Sequence, residues 1–178
     1  MLKKFCIAVA VIIALPFIIA LFVKSSYEVE REVLINKPKI EVFNYVKLLK
    51  NQDYFSKWAQ IDPEMKKSFR GIDGTVGFVS AWDSEHPDVG TGEQEIMAIA
   101  DGTRIDYELR FLKPFESTSP AYMIFESAED SQTTVKWGFK GQMDYPMNIM
   151  LLMMDFEKLI GDDLQLGLDN LKVIQEES

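Results

Sequence analysis

The longest uninterrupted hydrophobic segment lies at the N-terminus, where 19 residues from Phe5 to Val23 carry no charge. At about 1.5 Å per residue, a helix of that length spans about 28 Å, which is close to the hydrocarbon thickness of a bilayer. Pro16 interrupts the run, and membrane helices tolerate proline. The pattern therefore predicts a transmembrane anchor over residues 1–24, a short linker over residues 25–27 and a folded domain over residues 28–178.

The charges around this run predict its orientation. Lys3 and Lys4 precede it together with the amino terminus, so the positive-inside rule places the N-terminus in the cytoplasm and the domain on the extracytoplasmic side. The alternative is a cleaved signal peptide, whose apolar region is usually about 7 to 15 residues long and ends at a small-x-small site. Val23-Lys24-Ser25 matches such a site poorly, which favours an uncleaved anchor.

Beyond the anchor the pattern changes to an alternation with a period of two, which is typical of half-buried strands. The first such segment, residues 28–35, places Val29, Val33 and Ile35 on one face and glutamates on the other. The clearest alternation runs from Ile105 to Phe111. Further strands are predicted over residues 65–70, 76–82, 92–100, 120–127 and 133–141.

Helical periodicity interrupts the strands once near the start of the domain. Asn36-Lys37-Pro38 predicts a helix start with Asn36 as the N-cap and proline in the first turn. Apolar residues follow at helical spacing from Ile40 to Leu49. A second short helix is predicted over residues 52–57, and it would present Trp58 to the interior.

The chain ends in a predicted long amphipathic helix from about Pro146 to Ile174, with Asp144 as its cap. Gly161 and Gly167 lower helix propensity, which indicates close approach to another element or room for something else. Strand, two short helices, six antiparallel strands and a long helix define an α+β fold. We expect a curved seven-stranded antiparallel sheet wrapped around the C-terminal helix, with a space between them.

Composition narrows the possible partners. The formal net charge is −9, and no cluster of Lys and Arg is present, which argues against a nucleic-acid partner. An acidic surface is also repelled by anionic lipid headgroups, so attachment to a membrane depends on the anchor. Cys6 is the only cysteine, so no intrachain disulfide can form.

The glycine-rich stretch 71–77 and the single histidine are two candidate chemical sites, and the pattern around each favours a structural turn. Gly71, Gly74 and Gly77 lead into a strand and no Gly-Lys-Ser/Thr follows, so they are interpreted as turn glycines and not as a phosphate-binding loop. His86 is the only histidine and lies in a predicted hairpin tip. A structural metal requires about four ligands, and a catalytic triad requires a buried, oriented imidazole.

Two acidic pairs, Glu93/Glu95 and Asp162/Asp163, are candidate acid–base groups. Glu93 and Glu95 share one strand face, and if Ile96 points inward both carboxylates point to solvent. Asp162 and Asp163 are interpreted as surface charges on the long helix. The sequence therefore predicts no catalytic residue, no metal site and no cofactor.

Aromatic and methionine side chains form the more informative set. Methionine adapts to irregular spaces and varied ligands, and apolar pockets combine such residues with a few polar groups. Ordinary core packing, or contact of the methionines with a membrane surface, is the alternative. The candidate cavity-lining residues are Trp58, Phe78, Trp82, Gln94, Tyr107, Phe111, Trp137, Phe139, Met147 and Met150.

Seven short stretches spread over the domain carry a resemblance to a known family. They are VLINKP (33–38), VFNYV (42–46), WAQIDP (58–63), GIDGTVG (71–77), GTGE (90–93), RIDY (104–107) and FLKPF (111–115). Together they resemble the SRPBCC superfamily, the START-like and polyketide cyclase/dehydrase group with the helix-grip fold. The resemblance implies a central cavity for hydrophobic ligands. A minority of the family are enzymes, some modulate other proteins, and bacterial members with an N-terminal apolar segment are common.

Three functions follow as hypotheses. The first is a membrane-anchored binding module that holds a hydrophobic small molecule or lipid between the sheet and the helix. The second is a cyclase- or hydrolase-type enzyme, with Tyr107, Gln94 or Tyr122 as polar groups in an apolar pocket. The third is a domain without ligand that binds a protein partner at the membrane.

Overall fold

The computed structural model describes residues 2–129 and 131–177, so the outer limits of the predicted anchor and domain, Met1 and Ser178, lie outside the described residues. The N-terminal helix α1 spans Leu2–Ala20 and contains Pro16. Among the described residues it is the one helix long and apolar enough to cross a membrane, with a mean hydropathy of 2.3 over Lys3–Ala20. It ends before Val23, three residues earlier than the apolar run predicts, because the chain turns there to enter the sheet.

Seven antiparallel strands form one sheet in the order β1-β7-β6-β5-β4-β3-β2. Each strand from β2 to β6 pairs with the strand that follows it in the sequence, and the last strand, β7, also pairs with β1. This order confirms the predicted seven-stranded sheet. The strands are β1 (Ser26–Ile35), β2 (Lys66–Arg70), β3 (Val79–Asp83), β4 (Thr91–Ala100), β5 (Arg104–Lys113), β6 (Ser117–Glu129) and β7 (Gln132–Gln142).

The alternation read from the sequence determines which face of the sheet is buried. In β5, Ile105 and Tyr107 are buried against the core, whereas Arg104 and Asp106 lie on the outer face. In β7, Val135 and Trp137 are buried in the same way. Because successive side chains point to opposite faces, one apolar side chain in two is enough to build the core.

Three short helices follow β1, one more than predicted: α2 (Lys39–Lys47), α3 (Gln52–Phe55) and α4 (Lys57–Ile61). The predicted cap was wrong, since α2 starts without a side-chain cap hydrogen bond. The backbone N–H and side-chain amide of Asn36 instead donate to Glu176 Oε1, at 2.7 and 2.8 Å. These bonds connect the end of β1 to the last turn of the C-terminal helix, a long-range contact that local capping rules do not reveal.

The C-terminal helix α5 spans Phe156–Glu177, so the predicted start at Pro146 was wrong. Residues 147–152 form a 3-10 helix, and the side chain of Asp155 accepts a hydrogen bond from the backbone N–H of Lys158 at 2.9 Å. Aspartate at this position caps the first turn of a helix, and it sets the start here in place of Asp144. Residues 145–154, named here the methionine segment, therefore lie outside the long helix.

Both glycines of α5 mark close contacts, as predicted. A methyl group added at Gly167 would lie 2.7 Å from Cζ3 of Trp137, and one added at Gly161 would overlap the guanidinium of Arg31. Arg31 forms an ion pair with Glu157 at 2.7 Å, one turn earlier in the helix. The absence of side chains at these two positions lets α5 approach β1 and β7.

The contact at Gly167 yields a stability prediction. Gly167→Val should lower the free energy of unfolding by about 1 to 3 kcal/mol, because the added side chain overpacks the Trp137 ring. For a domain of this size that corresponds to roughly 2–4 °C in melting temperature per kcal/mol. Near-UV circular dichroism of the full chain in detergent measures the shift. Leu166→Val, at a half-exposed position of the same helix, is the control, and an equal loss in both variants would contradict the contact.

Candidate ligand-binding cavity

A cavity of about 280 Å³ lies between the inner face of the sheet and helices α3, α4 and α5. Strands β2 to β7 each contribute side chains to its wall, and Ile160 and Leu164 of α5 close it from the other side. Aliphatic and aromatic groups dominate the lining. The space predicted between sheet and helix is therefore present, although it occupies only part of their interface.

Six of the ten predicted lining residues come together around this cavity. They are Trp58, Trp82, Gln94, Phe111, Trp137 and Phe139. Binding of a ligand by them stays a prediction. Five of them occupy inward positions on strands, which strand alternation predicts. Trp58 lies on α4, where the predicted short helix presents it to the interior.

The other four candidates lie elsewhere. Phe78 and Tyr107 are 1% and 3% exposed and belong to the packed core. An inward direction does not distinguish a cavity wall from a filled core, so the pattern could not separate these two from the rest. Met147 and Met150 lie on the methionine segment, which was expected to start the long helix but leads away from the cavity.

Aromatic rings shape the walls through edge-to-face contacts. The ring of Trp137 packs against Phe55 with centroids 5.7 Å apart and against Trp58 at 6.4 Å. On the opposite side, Trp82 meets Phe111 at 6.3 Å. Edge-to-face geometry is favourable for aromatic pairs and fixes ring orientation, so the walls are held in place without filling the space between them.

The ring of Trp82 takes its position because Gly92 has no side chain. A methyl group at Gly92 would lie 2.6 Å from Cζ2 of Trp82, its cross-strand neighbour. The indole N–H of Trp82 points to the carbonyl oxygen of Val89, at 3.4 Å. The indole therefore lies flat along the strands at the cavity edge.

Polar groups are few and concentrated on one side of the cavity. The side chain of Gln94, 7% exposed, donates to Oε1 of Gln52 at 3.2 Å. Lys67 and Asp53 form an ion pair at 2.5 Å, and both line the cavity. Gln52, Asp53 and Lys67 are not predicted from the sequence, because α3 and the short strand β2 have too little periodicity to assign facing directions.

The two tyrosines named for an enzymatic alternative lie outside the cavity lining. Burial raises the pKa of Tyr107, so its hydroxyl stays protonated within the core. The hydroxyl of Tyr122 lies on the outer face, 2.9 Å from Glu28 Oε1 and 2.6 Å from Glu30 Oε2, and burial followed by these carboxylates raises its pKa as well. Of the three residues proposed for that alternative, Gln94 alone lines the cavity.

The acidic pairs on the sheet are engaged in ion pairs on its outer face. Arg110 reaches Glu93, Glu95 and Glu108 at 2.7, 2.7 and 2.6 Å. Hydrogen bonds from Arg70 and Arg110 hold the pKa of Glu93 below its ordinary value, since they outweigh its desolvation. Glu93 therefore remains ionised, and the three carboxylates face away from the cavity, as expected for surface charge.

His86 and the long-helix acids also lie at the surface. His86 is exposed in the loop between β3 and β4, and its Nδ1 accepts a hydrogen bond from the backbone N–H of Asp88 at 3.2 Å. Asp162 pairs with Lys158 at 2.5 Å, and Asp163 pairs with Lys57. Within residues 2–129 and 131–177, no group of three or more His, Cys, Asp or Glu side chains has a geometry suited to a metal ion.

The glycine-rich stretch 71–77 is a turn, as predicted. Gly71, Gly74 and Gly77 have φ angles of 89°, 76° and 85°, a region that side chains rarely adopt. The side chain of Asp73 accepts a hydrogen bond from the backbone N–H of Leu49 at 2.7 Å, which attaches this turn to the 3-10 helix after α2. The three glycines therefore allow the backbone to turn after β2.

The strand register places the cavity in the half of the sheet next to α1. Ser26, the first residue of β1, pairs with Gln142 at the end of β7, so the chain leaves α1 at this edge. The lining residues Trp82 and Phe111 lie in register across Gly92, near the same ends of their strands. The cavity is therefore closer to the end of α1 than to the opposite end of the sheet, where Arg70 pairs with Val79.

Comparison with known proteins identifies the architecture. No protein-family profile and no curated protein sequence matches the chain. Among solved structures, the di-domain ARO/CYC StfQ from the steffimycin biosynthetic pathway superposes with a TM-score of 0.65 at 10% identity, over 86% of this chain and 51% of that one. The chain has the helix-grip fold.

Two further structures share this fold. The Aha1 dimer from Colwellia psychrerythraea superposes with a TM-score of 0.58 at 12% identity, over 84% of this chain and 96% of that one. A protein from Thermobifida fusca gives a TM-score of 0.56 at 19% identity, over 82% of this chain and 90% of that one. Because one fold can host many unrelated functions, the similarity shows the fold and assigns neither a ligand nor a reaction.

The cavity can be distinguished from packed core by two substitutions on one strand face. Leu109→Phe adds volume next to the cavity and should change the melting temperature little or raise it. Ile105→Phe, four residues earlier on the same face and 0% exposed, should cost about 1 to 3 kcal/mol. Thermal unfolding of the full chain measures both, and equal destabilisation would indicate that no space exists at Leu109.

Proposed function

We propose that this chain is a membrane-anchored member of the SRPBCC superfamily that binds a hydrophobic small molecule or lipid in the cavity between sheet and helix. The observation that carries the proposal is the partly open, aromatic-lined cavity of about 280 Å³. A packed domain of this size has few voids larger than a water molecule. A space this large that is walled by three tryptophans, Trp58, Trp82 and Trp137, is suited to an apolar ligand.

Cavity size limits the ligand. The volume equals about nine water molecules at roughly 30 Å³ each, and a methylene group occupies a similar space. A ligand buried completely would have about ten non-hydrogen atoms by the same measure, such as two fused rings or a medium-length chain. A longer lipid would leave part of its length outside.

The polar side of the cavity favours a ligand with one polar end. Gln94 and Gln52 offer amide donors and acceptors, and the Lys67–Asp53 ion pair lies along the same wall. A carboxylate or hydroxyl placed there could exchange with these partners, while rings or chains contact the tryptophans. A pocket with few, convergent polar groups orients its ligand in this way.

The enzymatic alternative has less support. Tyr107 and Tyr122 lie outside the lining, which leaves Gln94 of the three residues named for it, and an amide neither accepts nor releases a proton near neutral pH. The titratable side chains Asp53 and Lys67 do line the cavity, but they are paired with each other. A protein-interaction role without ligand would be favoured by an apolar surface with no cavity beneath it. The cavity therefore favours the binding module.

Co-purification tests ligand binding directly. The full chain extracted from membranes should carry a small hydrophobic molecule, which mass spectrometry of the organic extract detects. Ala121→Phe should remove it, because Ala121 is 4% exposed and its side chain lines the cavity. Melting temperature should fall little, since the new ring enters existing space.

Ala98→Phe is the matched control, because Ala98 is exposed on β4 and distant from the lining. This variant should retain the same molecule as the unaltered chain. If all three proteins carry the same set of lipids in equal amounts, binding in the cavity is disproved and the interaction-domain hypothesis gains support.

The anchor is tested separately. We propose that the apolar run from Phe5 to Val23 stays attached, crosses the membrane once with the N-terminus in the cytoplasm, and holds the domain on the extracytoplasmic side. The full chain should then remain in the membrane fraction after carbonate washing, and sequencing should return the original N-terminus. A mature chain that starts near Ser25 would show that the run is a cleaved signal peptide.

A further inference from the structure

The methionine segment exposes a continuous group of large apolar side chains. Met147, Leu152 and Met153 are 58%, 65% and 79% exposed. None of the ten residues from Tyr145 to Met154 is charged, although more than a quarter of the chain is Asp, Glu, Lys or Arg. An exposed apolar patch of this kind marks an interaction surface, and its position in the fold indicates the partner.

The segment is attached to the end of the candidate membrane helix. The side-chain amide of Asn148 donates to the carbonyl oxygens of Ala20 and Val23, at 2.8 and 2.9 Å. Ala20 is the last residue of α1, and its carbonyl oxygen also accepts a hydrogen bond from the backbone N–H of Val23 at 3.3 Å, so the amide of Asn148 binds the turn that follows the helix. Asn148 is 3% exposed and Ala20 is 1% exposed, so the junction is packed.

A groove of about 990 Å³ continues from α1 onto the domain. Ile19 and Phe22 form its anchor side, and Leu152, Met153 and Phe156 form its domain side. Phe22 is 85% exposed, so exposed apolar side chains from the end of α1 and from the methionine segment line the same groove. A bilayer that surrounds α1 would therefore reach these side chains at the level where the helix emerges.

The charged groups of the groove are compatible with the same orientation. Lys24 is exposed and lines the groove beside the apolar residues, where a cation can reach lipid phosphates. Two carboxylates also line the groove: Glu157 is paired with Arg31, and Asp155 caps the first turn of α5. The acidic groups of the sheet, such as Glu93, lie on its outer face and outside the groove lining, so lipid contact through this end keeps them away from the headgroups.

We infer that the methionine segment, together with Phe22, is a membrane-contact surface that lies in the headgroup and upper acyl region of the bilayer that α1 crosses. The inference rests on the proposed anchoring. It adds a second, peripheral attachment, in which methionine and leucine side chains enter the interface as those of monotopic helices do. The cavity, in the half of the sheet next to α1, is then held with its anchor-side end against the lipid.

Site-directed spin labelling of the full chain in phosphatidylcholine vesicles tests this. In a Cys6→Ala background, single cysteines replace Met153 at the surface, Ile13 in the middle of α1, and Ile72 as the control. Ile72 is 75% exposed and apolar, but it lies in the turn after β2, at the opposite end of the sheet. Collision rates with oxygen, which concentrates in lipid, and with a water-soluble nickel chelate report the depth of each label.

Labels at Ile13 and Met153 should both favour oxygen over the chelate, with a ratio at Met153 at least about threefold above that at Ile72, as expected for burial at the headgroup–acyl boundary. A lipid-like ratio at Ile13 with a water-like ratio at Met153 would overturn the contact surface and leave the anchor intact. Water-like ratios at both positions would overturn both. Low collision with both reagents at Met153 would indicate a protein contact and also reject the inference.

A label at a second position shows whether the result at Met153 reflects a local distortion caused by the label. Leu152→Cys occupies a neighbouring position that is 65% exposed, so labelling there disturbs no buried group. The label at Leu152 should report about the same depth in the bilayer as the label at Met153. If the oxygen-to-chelate ratios at Met153 and Leu152 both equal the water-like ratio at Ile72, the contact surface is disproved.

Discussion

The structure depends on how a straight helix is held by a curved sheet. Helix α5 packs against β1 and β7, at the end of the sheet order where the first and last strands meet, and Gly161 and Gly167 permit the approach. The remaining strands curl away from the helix axis, as strongly twisted antiparallel sheets do. The short helices α3 and α4 cover part of the resulting gap, and the cavity is what they leave open.

The two faces of the sheet have separate roles as a result. Outside, arginines alternate with carboxylates along β5, and Arg110 alone pairs with three glutamates. Exposed pairs of this kind add little stability individually, but they keep the outer face polar. Inside, the Gln94–Gln52 hydrogen bond and the Lys67–Asp53 ion pair supply polar groups to a lining that is otherwise mostly apolar, which gives the interior a different chemistry from the surface.

Most of the fold could be predicted from the sequence because strand alternation is a local signal. Val29, Val33 and Ile35, or Ile105 and Tyr107, reveal their facing direction within eight residues, and five of the six confirmed lining positions follow from the same rule. Contacts between distant segments could not be predicted in this way. Asn36 looked like a helix cap by local rules, whereas its partner is Glu176, 140 positions later.

The methionine segment shows a second limit of pattern reasoning. Its apolar spacing resembles the start of an amphipathic helix, and five methionines between Met143 and Met154 resemble the lining of an adaptable pocket. Both interpretations depend on where the helix begins, which the cap at Asp155 decides. Because the helix starts there, Met147 and Met150 lie beside the end of α1 and outside the cavity lining, and the role we propose for their segment is contact with a membrane instead of with a ligand.

The hydrogen bonds from Asn148 to the carbonyl oxygens of Ala20 and Val23 also bear on how the proposed ligand would reach the cavity. A domain on a long flexible linker samples a large volume of solution, and its effective concentration at the membrane falls as the linker lengthens. Here the junction has five residues between Ala20 and Ser26, and the amide binds its first end and its middle. A hydrophobic molecule dissolved in the bilayer would then arrive by lateral diffusion in two dimensions, and its occupancy of the cavity would follow its mole fraction in the lipid instead of its much lower concentration in water.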